Sequence, residues 1–258
     1  MPIYSHSRLS TFEQCSLKYK YRYIDKIIPE IAGTIESHLG NSIHKTLEWL
    51  YNKIKQENSI VPSIEEMISF YINEWNNGYS KEIIIVKSEM SESDYFNKGI
   101  KILADYYFSN FPFEDNTLDI EKKILISLDE EGTYKIRGFI DRISYNKETG
   151  EYEIHDYKTS NFLPMQNKID SDRQLSIYAM AIKNEFGNDK NVLLTWHYLA
   201  FNKKIHSRRT NHSLEKIKQE ILELIKKIES TKDFFPKKSP LCSWCEYKKI
   251  CQNFCRSH

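Results

Sequence analysis

The chain has 258 residues, 40% hydrophobic and 13% aromatic, with 37 Lys and Arg against 36 Asp and Glu for a formal net charge of +1. That apolar content is enough for a core of this size and excludes general disorder. No run approaches the length of a membrane span and the N-terminus lacks a basic-then-apolar leader, so a cytoplasmic protein with no membrane partner is expected. The length suits a single domain, 1–258, with helical insertions.

Ser10-Thr11-Phe12-Glu13 has capping-box spacing and predicts a helix running through Cys15 towards Tyr23. Lys18, Lys20 and Arg22 interleave with Tyr19, Tyr21 and Tyr23. This pattern suits rings stacked on bases with cations on phosphates, and equally a packed helix with its cations at the rim. Gly40-Asn41-Ser42-Ile43-His44 opens a second helix through Lys55, with Ile43, Leu47, Leu50 and Ile54 as its buried stripe. His44 lies beside that stripe, either as a structural histidine or as a metal ligand. Ser63 and Glu66 form another capping box for a helix to Tyr79. A further helix spans Ser91–Asn110, with Ile100, Leu103, Tyr107 and Phe108 facing inward. The stretch 60–112 therefore reads as a helical insertion walling one side of a site.

From Leu118 the periodicity changes to two. Strands are expected over Leu118–Leu128, Tyr134–Tyr145 and Glu151–Lys158, within a sheet core at 118–210. The last two are joined by the turn Asn146–Gly150. On the first strand of that hairpin Asp141 shares a face with Arg137, Phe139 and Ile143; on the second Ile154, Asp156 and Lys158 share one. A helix over Asp172–Gly187 puts Gln174 and Tyr178 on one face. Asn191–Phe201 is apolar throughout, as in a strand covered on both sides. Ser213–Lys232 is an amphipathic helix. The basic runs Lys203–Arg209 and Lys237–Lys249 are phosphate contacts or solvated faces. Taken together the pattern is α/β: a sheet flanked by helices, with an N-terminal helical region.

Two carboxylates and a lysine on adjacent strands are the minimum set for metal-assisted phosphodiester hydrolysis. Mg²⁺ or Mn²⁺ takes oxygen ligands, which Asp141 and Asp156 supply, and lowers the pKa of a bound water. Lys158 can hydrogen-bond the attacking water or stabilise charge building on phosphorus oxygens.

The five cysteines are odd in number, and four of them fall within the last seventeen residues. In a cytoplasmic chain they do not read as disulfides. Cys15 with Cys242, Cys245 and Cys251 gives four thiolates for Zn²⁺ or a [4Fe–4S] cluster. Zinc ribbons usually pair two C-x2-C knuckles and only one is present, which favours the cluster. The alternative set is Cys242, Cys245, Cys251 and Cys255, leaving Cys15 as a buried thiol. Either way Trp244, Tyr247, Lys248 and Lys249 near the cluster remain free to meet DNA.

In order and type these stretches resemble the PD-(D/E)XK nuclease superfamily, in the branch of the RecB and AddB nuclease domains and the CRISPR-adaptation nucleases with an iron–sulfur cluster. Ser7–Cys15 resembles that branch's first segment, and Gly40–His44 its G-x-x-x-H helix. Gly138–Ile143 and Asp156-Tyr157-Lys158 resemble its central motifs; Gln174 and Tyr178 match its Q-x-x-x-Y helix. The resemblance implies a restriction-endonuclease-like mixed sheet. It also implies a Mg²⁺ or Mn²⁺ held by His44, Asp141, Asp156 and the Tyr157 carbonyl. Lys158 would act on the water, and Gln174 and Tyr178 would position DNA. The cysteine set would then be a cluster stapling the first and last segments. Two departures stand out: Ile140 replaces the proline before the first aspartate, and Asp156 replaces the more usual glutamate. The implied activity is a DNA exonuclease on single strands or duplex ends. It would serve repair and recombination or CRISPR adaptation, beside a helicase or integrase proteins; the chain has no helicase phosphate loop of its own. The contrasting reading is a non-catalytic DNA-binding module with a zinc or iron–sulfur site.

Overall fold

The structure is a computed structural model that describes residues 3–29, 33–56, 60–85, 87 and 89–251, so Cys255 lies outside the described residues. In chain order the elements are β1 (Tyr4–Ser5), α1 (His6–Gln14), α2 (Ser16–Tyr19), a π-helical turn at Lys20–Ile24, β2 (Gly33–Thr34), α3 (Ile35–Gln56), α4 (Ile64–Gly78), β3 (Ile83–Ile84) and α5 (Glu92–Asn110). Then come β4 (Thr117–Ser127), β5 (Lys135–Asn146), β6 (Glu151–Lys158), α6 (Gln166–Asp170), α7 (Arg173–Phe186), β7 (Val192–Tyr198), β8 (Lys203–Arg208) and α8 (Asn211–Ser230). Two short 3-10 turns, Pro240–Trp244 and Lys248–Ile250, complete the described chain. No helix among the described residues is long and apolar enough to cross a membrane.

The main sheet is mixed. β4 runs antiparallel along one edge of β5. On the other edge β5 pairs with β1 at Ile136–Arg137 and with β6 at Arg142–Asn146, leaving an interval between the two partners. β7 joins β6 in parallel through the α7 crossover, and β8 closes the edge antiparallel to β7. β6, β7 and α7 thus form the crossover unit that parallel strands require.

Two layers of side chains sandwich this sheet. One packs α1, α7 and α8 against Ile124, Ile126, Ile136, Ile140 and Ile154. The other packs α3, α4 and α5 around Leu39, Ile43, Leu47 and Trp75, and takes in Tyr157 and Leu199. Helix starts follow side-chain chemistry. Ser63 and Ser91 each cap in both directions, with Glu66 and Asp94 returning the bond, and Asp172 and Thr210 cap α7 and α8. The first helix differs from the sequence expectation. Ser5, not Ser10, accepts the cap bond from the Arg8 N–H, and the helix ends at Gln14 with Cys15 extended. α3 begins five residues ahead of Gly40, which is therefore interior to it.

Two of the three expected basic patches, Lys18–Lys26 and Lys203–Arg209, are engaged within the fold. Lys18 and Arg22 pair with Glu246 of the tail, Lys20 with Asp25, and Tyr19 is in the core. The packed-helix reading of that segment is the one realised. Most of Lys203–Arg209 forms the edge strand β8, where Arg208 pairs with Glu151; Arg209, just past it, is buried against Ser176 and the Ile169 carbonyl.

Candidate active site

Antiparallel pairing of β5 with β6 ends at Arg142 opposite His155. One step further in the same register sets Asp141 opposite Asp156. There the strands part, and the Asp141 carboxylate takes over from the ladder: its Oδ2 accepts the Tyr157 N–H at 2.9 Å. On the other side of β5, β4 pairs Ile120 with Arg142 and Lys122 with Ile140 but skips Glu121 and Asp141 between them. Glu121 has a left-handed backbone, φ +49°, a conformation that costs a non-glycine residue on the order of 1–3 kcal/mol.

This kink re-aims the strands, as bulges do. Before it Ile120 faces the α3 layer; after it Ile124 and Ile126 face α7. On β5, Arg142 lies over the Tyr51 ring of α3 at 4.0 Å while Ile140 faces the α7 layer. The expected common face of Arg137, Phe139, Asp141 and Ile143 is therefore broken at Asp141. Phe139 is 52% exposed, and Ile143 is buried.

Into the gap comes α3. A Cβ on Gly40 would sit 3.3 Å from Thr159 Oγ1, so the glycine lets the helix approach the end of β6. One turn later His44 meets the centre. Its Nε2 lies 2.8 Å from the Tyr157 carbonyl, and Nδ1 lies 3.4 Å from Asp141 Oδ2. Burial alone would lower the imidazole pKa, but Asp141, Asp156 and the Tyr157 carbonyl outweigh it and hold it at about 9.

Asp156, 2% exposed, is ion-paired through its Oδ2 with the Lys158 ammonium, 2.6 Å away. Burial, with the Asp141 charge and against the Lys158 attraction, raises its pKa to about 6. Glu121 is raised to about 7 by burial and then by Asp141 and Glu48. Burial works against the Lys158 ammonium, but Asp156 and Asp141 together hold its pKa above the ordinary lysine value. Lys158 also donates to Gln174 Oε1 at 3.2 Å, and Gln174 Nε2 donates to the Tyr178 hydroxyl at 3.0 Å. Tyr178 packs closely on β5 at Gly138, where a Cβ would fall 2.7 Å from its Cε1.

His44, Glu121 and Asp141 can present one ligand atom each, all within 4.8 Å of one another. Asp156, Lys158, Gln174 and Tyr178 follow in a hydrogen-bonded and ion-paired row. All residues expected at this site from the sequence are brought together here. Glu121 was not expected; it lies on a different strand from the Asp-x-Lys hairpin, and no local spacing marks it. Two carboxyls with raised pKa values, Asp156 and Glu121, mark an excess of negative charge that a divalent cation would relieve. A cleft of about 620 Å³, lined by Glu36, Glu48, Glu74 and Lys45 among others, leads to this centre.

The second cluster lies where the chain ends meet. Cys15, Cys242, Cys245 and Cys251 all line one cavity of about 300 Å³. The Lys237 N–H points at Cys15 Sγ and the Ser239 N–H at Cys242 Sγ, both at 3.4 Å. Tyr247, expected to be free for DNA, is 4% exposed and donates to the Ile27 carbonyl.

The sheet with its splayed acid pair, lysine and flanking helices defines a nuclease fold. A family model described as the PD-(D/E)XK nuclease superfamily matches residues 3–252, and the chain belongs to that superfamily. The crystal structure of a "Putative exonuclease" from Eubacterium rectale superposes on 99% of this chain and 88% of its own, with a TM-score of 0.54 at 12% identity, and shares the fold. The crystal structure of SSO0001 covers 84% of this chain and 95% of its own, with a TM-score of 0.39 at 16% identity. No curated protein matches the sequence.

Proposed function

We propose that the chain is a metal-dependent deoxyribonuclease, acting as an exonuclease on single strands or duplex ends. The observation that carries this reading is the convergence of His44, Glu121 and Asp141 within 4.8 Å, beside the ion pair of Asp156 and Lys158. His44, Asp141, Asp156 and the Tyr157 carbonyl would hold Mg²⁺ or Mn²⁺, and Glu121 joins them as a further carboxylate. Such an ion supplies charge for phosphoryl oxygens and acidifies a bound water.

The remaining work falls to the chain's own groups. To act as a ligand the His44 imidazole would have to be neutral, so holding the ion would require it to give up the proton that Asp141, Asp156 and the Tyr157 carbonyl favour. Lys158 stays cationic across the physiological range, so it donates a hydrogen bond and offsets developing negative charge instead of acting as a base. Gln174 holds the lysine in line, and Tyr178 holds Gln174. Catalytic roles for Asp141, Asp156 and Lys158 rest on this arrangement and on the family. Exonuclease polarity, the RecB/AddB-like branch, a role in repair, recombination or CRISPR adaptation, and helicase or integrase partners rest on the sequence resemblance.

At the other end Cys15, Cys242, Cys245 and Cys251 would hold a [4Fe–4S] cluster. Tetrahedral zinc places sulfurs about 3.8 Å apart, given Zn–S bonds of about 2.3 Å. Among the described residues no three thiols lie within 4.8 Å of one another, and the choice of a cluster over zinc rests on the cysteine spacing and the sequence resemblance. The two N–H groups directed at sulfur are of the kind that tunes thiolate-bound clusters. The cluster's part is structural: it fastens the first helices to the tail.

The test is the anaerobically purified protein with 5′- or 3′-labelled single and double strands, with and without Mn²⁺. Cutting that requires the metal is expected. Asp141→Ala and Lys158→Ala should each lower it by about 10²-fold or more, with circular dichroism and cluster absorbance unchanged. Full activity in either variant overturns the assignment.

A further inference from the structure

Beyond the kink at Glu121 and Asp141, β4 and β5 run on as an antiparallel ribbon, joined by β1 at Ile136–Arg137 and covered on one face only. Ile124, Ile126, Ile136 and Ile140 fill the core. The other side carries Lys123 opposite Phe139, Leu125 opposite Arg137 and Ser127 opposite Lys135. Phe139 and Leu125 are each 52% exposed. Among the described residues, the side chains of Lys123, Lys135 and Arg137 make no ion pair or hydrogen bond. Most other cations on this sheet are paired: Lys122 with Glu185, Lys158 with Asp156, Arg208 with Glu151 and Arg142 with Asp115. The exposed strip is thus an aromatic and an aliphatic side chain set among three uncompensated positive charges.

Its position matters as much as its composition. Lys123 follows Glu121 by two residues and Phe139 precedes Asp141 by two, so the strip starts about 7 Å along the strands from the metal-ligand candidates. It extends for about 13 Å to Ser127 and Lys135, and stops at the acidic turn of Asp129, Glu130 and Glu131. Apart from the ligand candidates Glu121 and Asp141, the cleft on the α3 side carries Glu36, Glu48 and Glu74 against Lys45. Of these two surfaces bordering the centre, the ribbon is the one whose charge complements phosphate.

We propose that this strip is the track for single-stranded DNA flanking the scissile phosphate, with a base stacked on Phe139 and phosphates on Lys123, Arg137 and Lys135. The assignment rests on the nuclease reading and specifies the form of its substrate. Stacking needs an unpaired base, because a duplex keeps its base faces to itself; a cation row with an aromatic among it is how sequence-independent single-strand sites are built. Leu125 lies on the same face and carries a sugar or a second base edge.

The experiment measures binding apart from cutting. Full-length protein, purified anaerobically and held in EDTA, is titrated into a fluorescein-labelled 20-nucleotide oligo-dT and into a labelled duplex of the same length, read by anisotropy at several salt concentrations. Phe139→Ala should weaken single-strand binding about tenfold or more and leave duplex binding unchanged. Lys123→Gln and Arg137→Gln should each weaken it and lower the salt slope by about 0.7. All three positions are exposed, so melting temperatures should match the parent.

Parental affinity in all three variants overturns the track while leaving the nuclease reading intact, provided the parent protein binds and cuts. Equal loss on duplex and single strand from Phe139→Ala removes the stacking role and overturns the assignment as stated. A variant that changes the sedimentation coefficient marks the strip as a contact between copies of the chain, which also overturns it. A parent that neither binds DNA nor cuts it with Mn²⁺ defeats the nuclease reading, and the track with it.

Discussion

The acid–histidine centre and the cysteine cavity are built in opposite ways. The first is made by the sheet and the helix over it. Its side chains are already engaged, Asp141 with the Tyr157 backbone N–H, His44 with the Tyr157 backbone carbonyl and Lys158 with Asp156, and the acids sit on strands fixed by long ladders. The second is made by chain ends. One cysteine lies between two short helices and three lie among 3-10 turns, with backbone bonds such as Leu17 N–H to the Phe235 carbonyl as their ties. A fold that is complete without its ion can tolerate losing it. The chain ends are tied by fewer contacts, among them Lys18 and Arg22 to Glu246 and Tyr247 to the Ile27 carbonyl, so a cofactor held by the four thiols would add a larger share of their stability.

The largest expected effect tests that contrast directly. Cys15→Ser or Cys245→Ser should release the tail, with brief proteolysis clipping within 231–251 and leaving a resistant sheet core. The melting temperature should fall by an amount equivalent to several kcal/mol, on the order seen when structural metal sites are lost. Removing Mg²⁺ or Mn²⁺ with EDTA should cost no more than mass action allows, about 2.7 kcal/mol for an ion present at a hundredfold its dissociation constant. If EDTA costs more than either cysteine change, the two sites have been assigned the wrong way round.

A smaller effect depends on pH. Asp156 and Glu121 have folded-state pKa values raised to about 6 and about 7. Each therefore holds a proton that the unfolded chain would release. That contribution to ion-free stability is fully present below about pH 4, the unfolded carboxyl range, and is lost as pH rises through 6 and 7. His44, raised to about 9, loses its own contribution as pH passes that value. A divalent cation takes the place of these protons, so its affinity should climb from pH 6 to pH 9. The rise in melting temperature on adding Mg²⁺ should be several degrees at pH 8.5 and near zero at pH 5.5. A rise of equal size at both would mean that these three groups do not share the ion.

The smallest effect is at the kink. Glu121→Gly removes the penalty of a left-handed glutamate and should stabilise the ion-free protein by about 1 kcal/mol. It should also weaken Mn²⁺ binding, measured by calorimetry. Loss of stability instead would show that the Glu121 side chain supports the fold more than its backbone strains it.

The hairpin and the α7 row were legible in the sequence, because Asp141, Asp156, Lys158, Gln174 and Tyr178 each sit in an element whose period is clear. The Ser63 and Ser91 caps were legible for the same local reason. Glu121 was not. Ile120, Ile124 and Ile126 keep one even spacing through the kink, so the alternation reads as a continuous strand although the faces exchange. β8 was hidden by its composition: Lys203, Lys204 and Arg208 read as a basic patch, and their pairing with β7 and Glu151 is tertiary. The start of α1 was misplaced because Ser5 and Ser10 both suit a cap and only packing selects between them. The cysteines could be grouped from spacing, but their meeting across the chain ends is long-range.

Arg142 has a consequence for how this protein can be taken apart. The residue is 2% exposed, one position from Asp141, and lies over Tyr51 of α3. It donates to the Tyr157 hydroxyl on β6 and pairs with Asp115 ahead of β4. Tyr106 of α5 completes the knot through the hydroxyls of Tyr51 and Tyr157. The helices between 60 and 112 are thereby tied to the strand that carries the acids. They are not a graftable module: a chimera that exchanged them between relatives would need to keep Tyr106, or leave the buried hydroxyls of Tyr51 and Tyr157 short of a partner beside Arg142 and the catalytic centre.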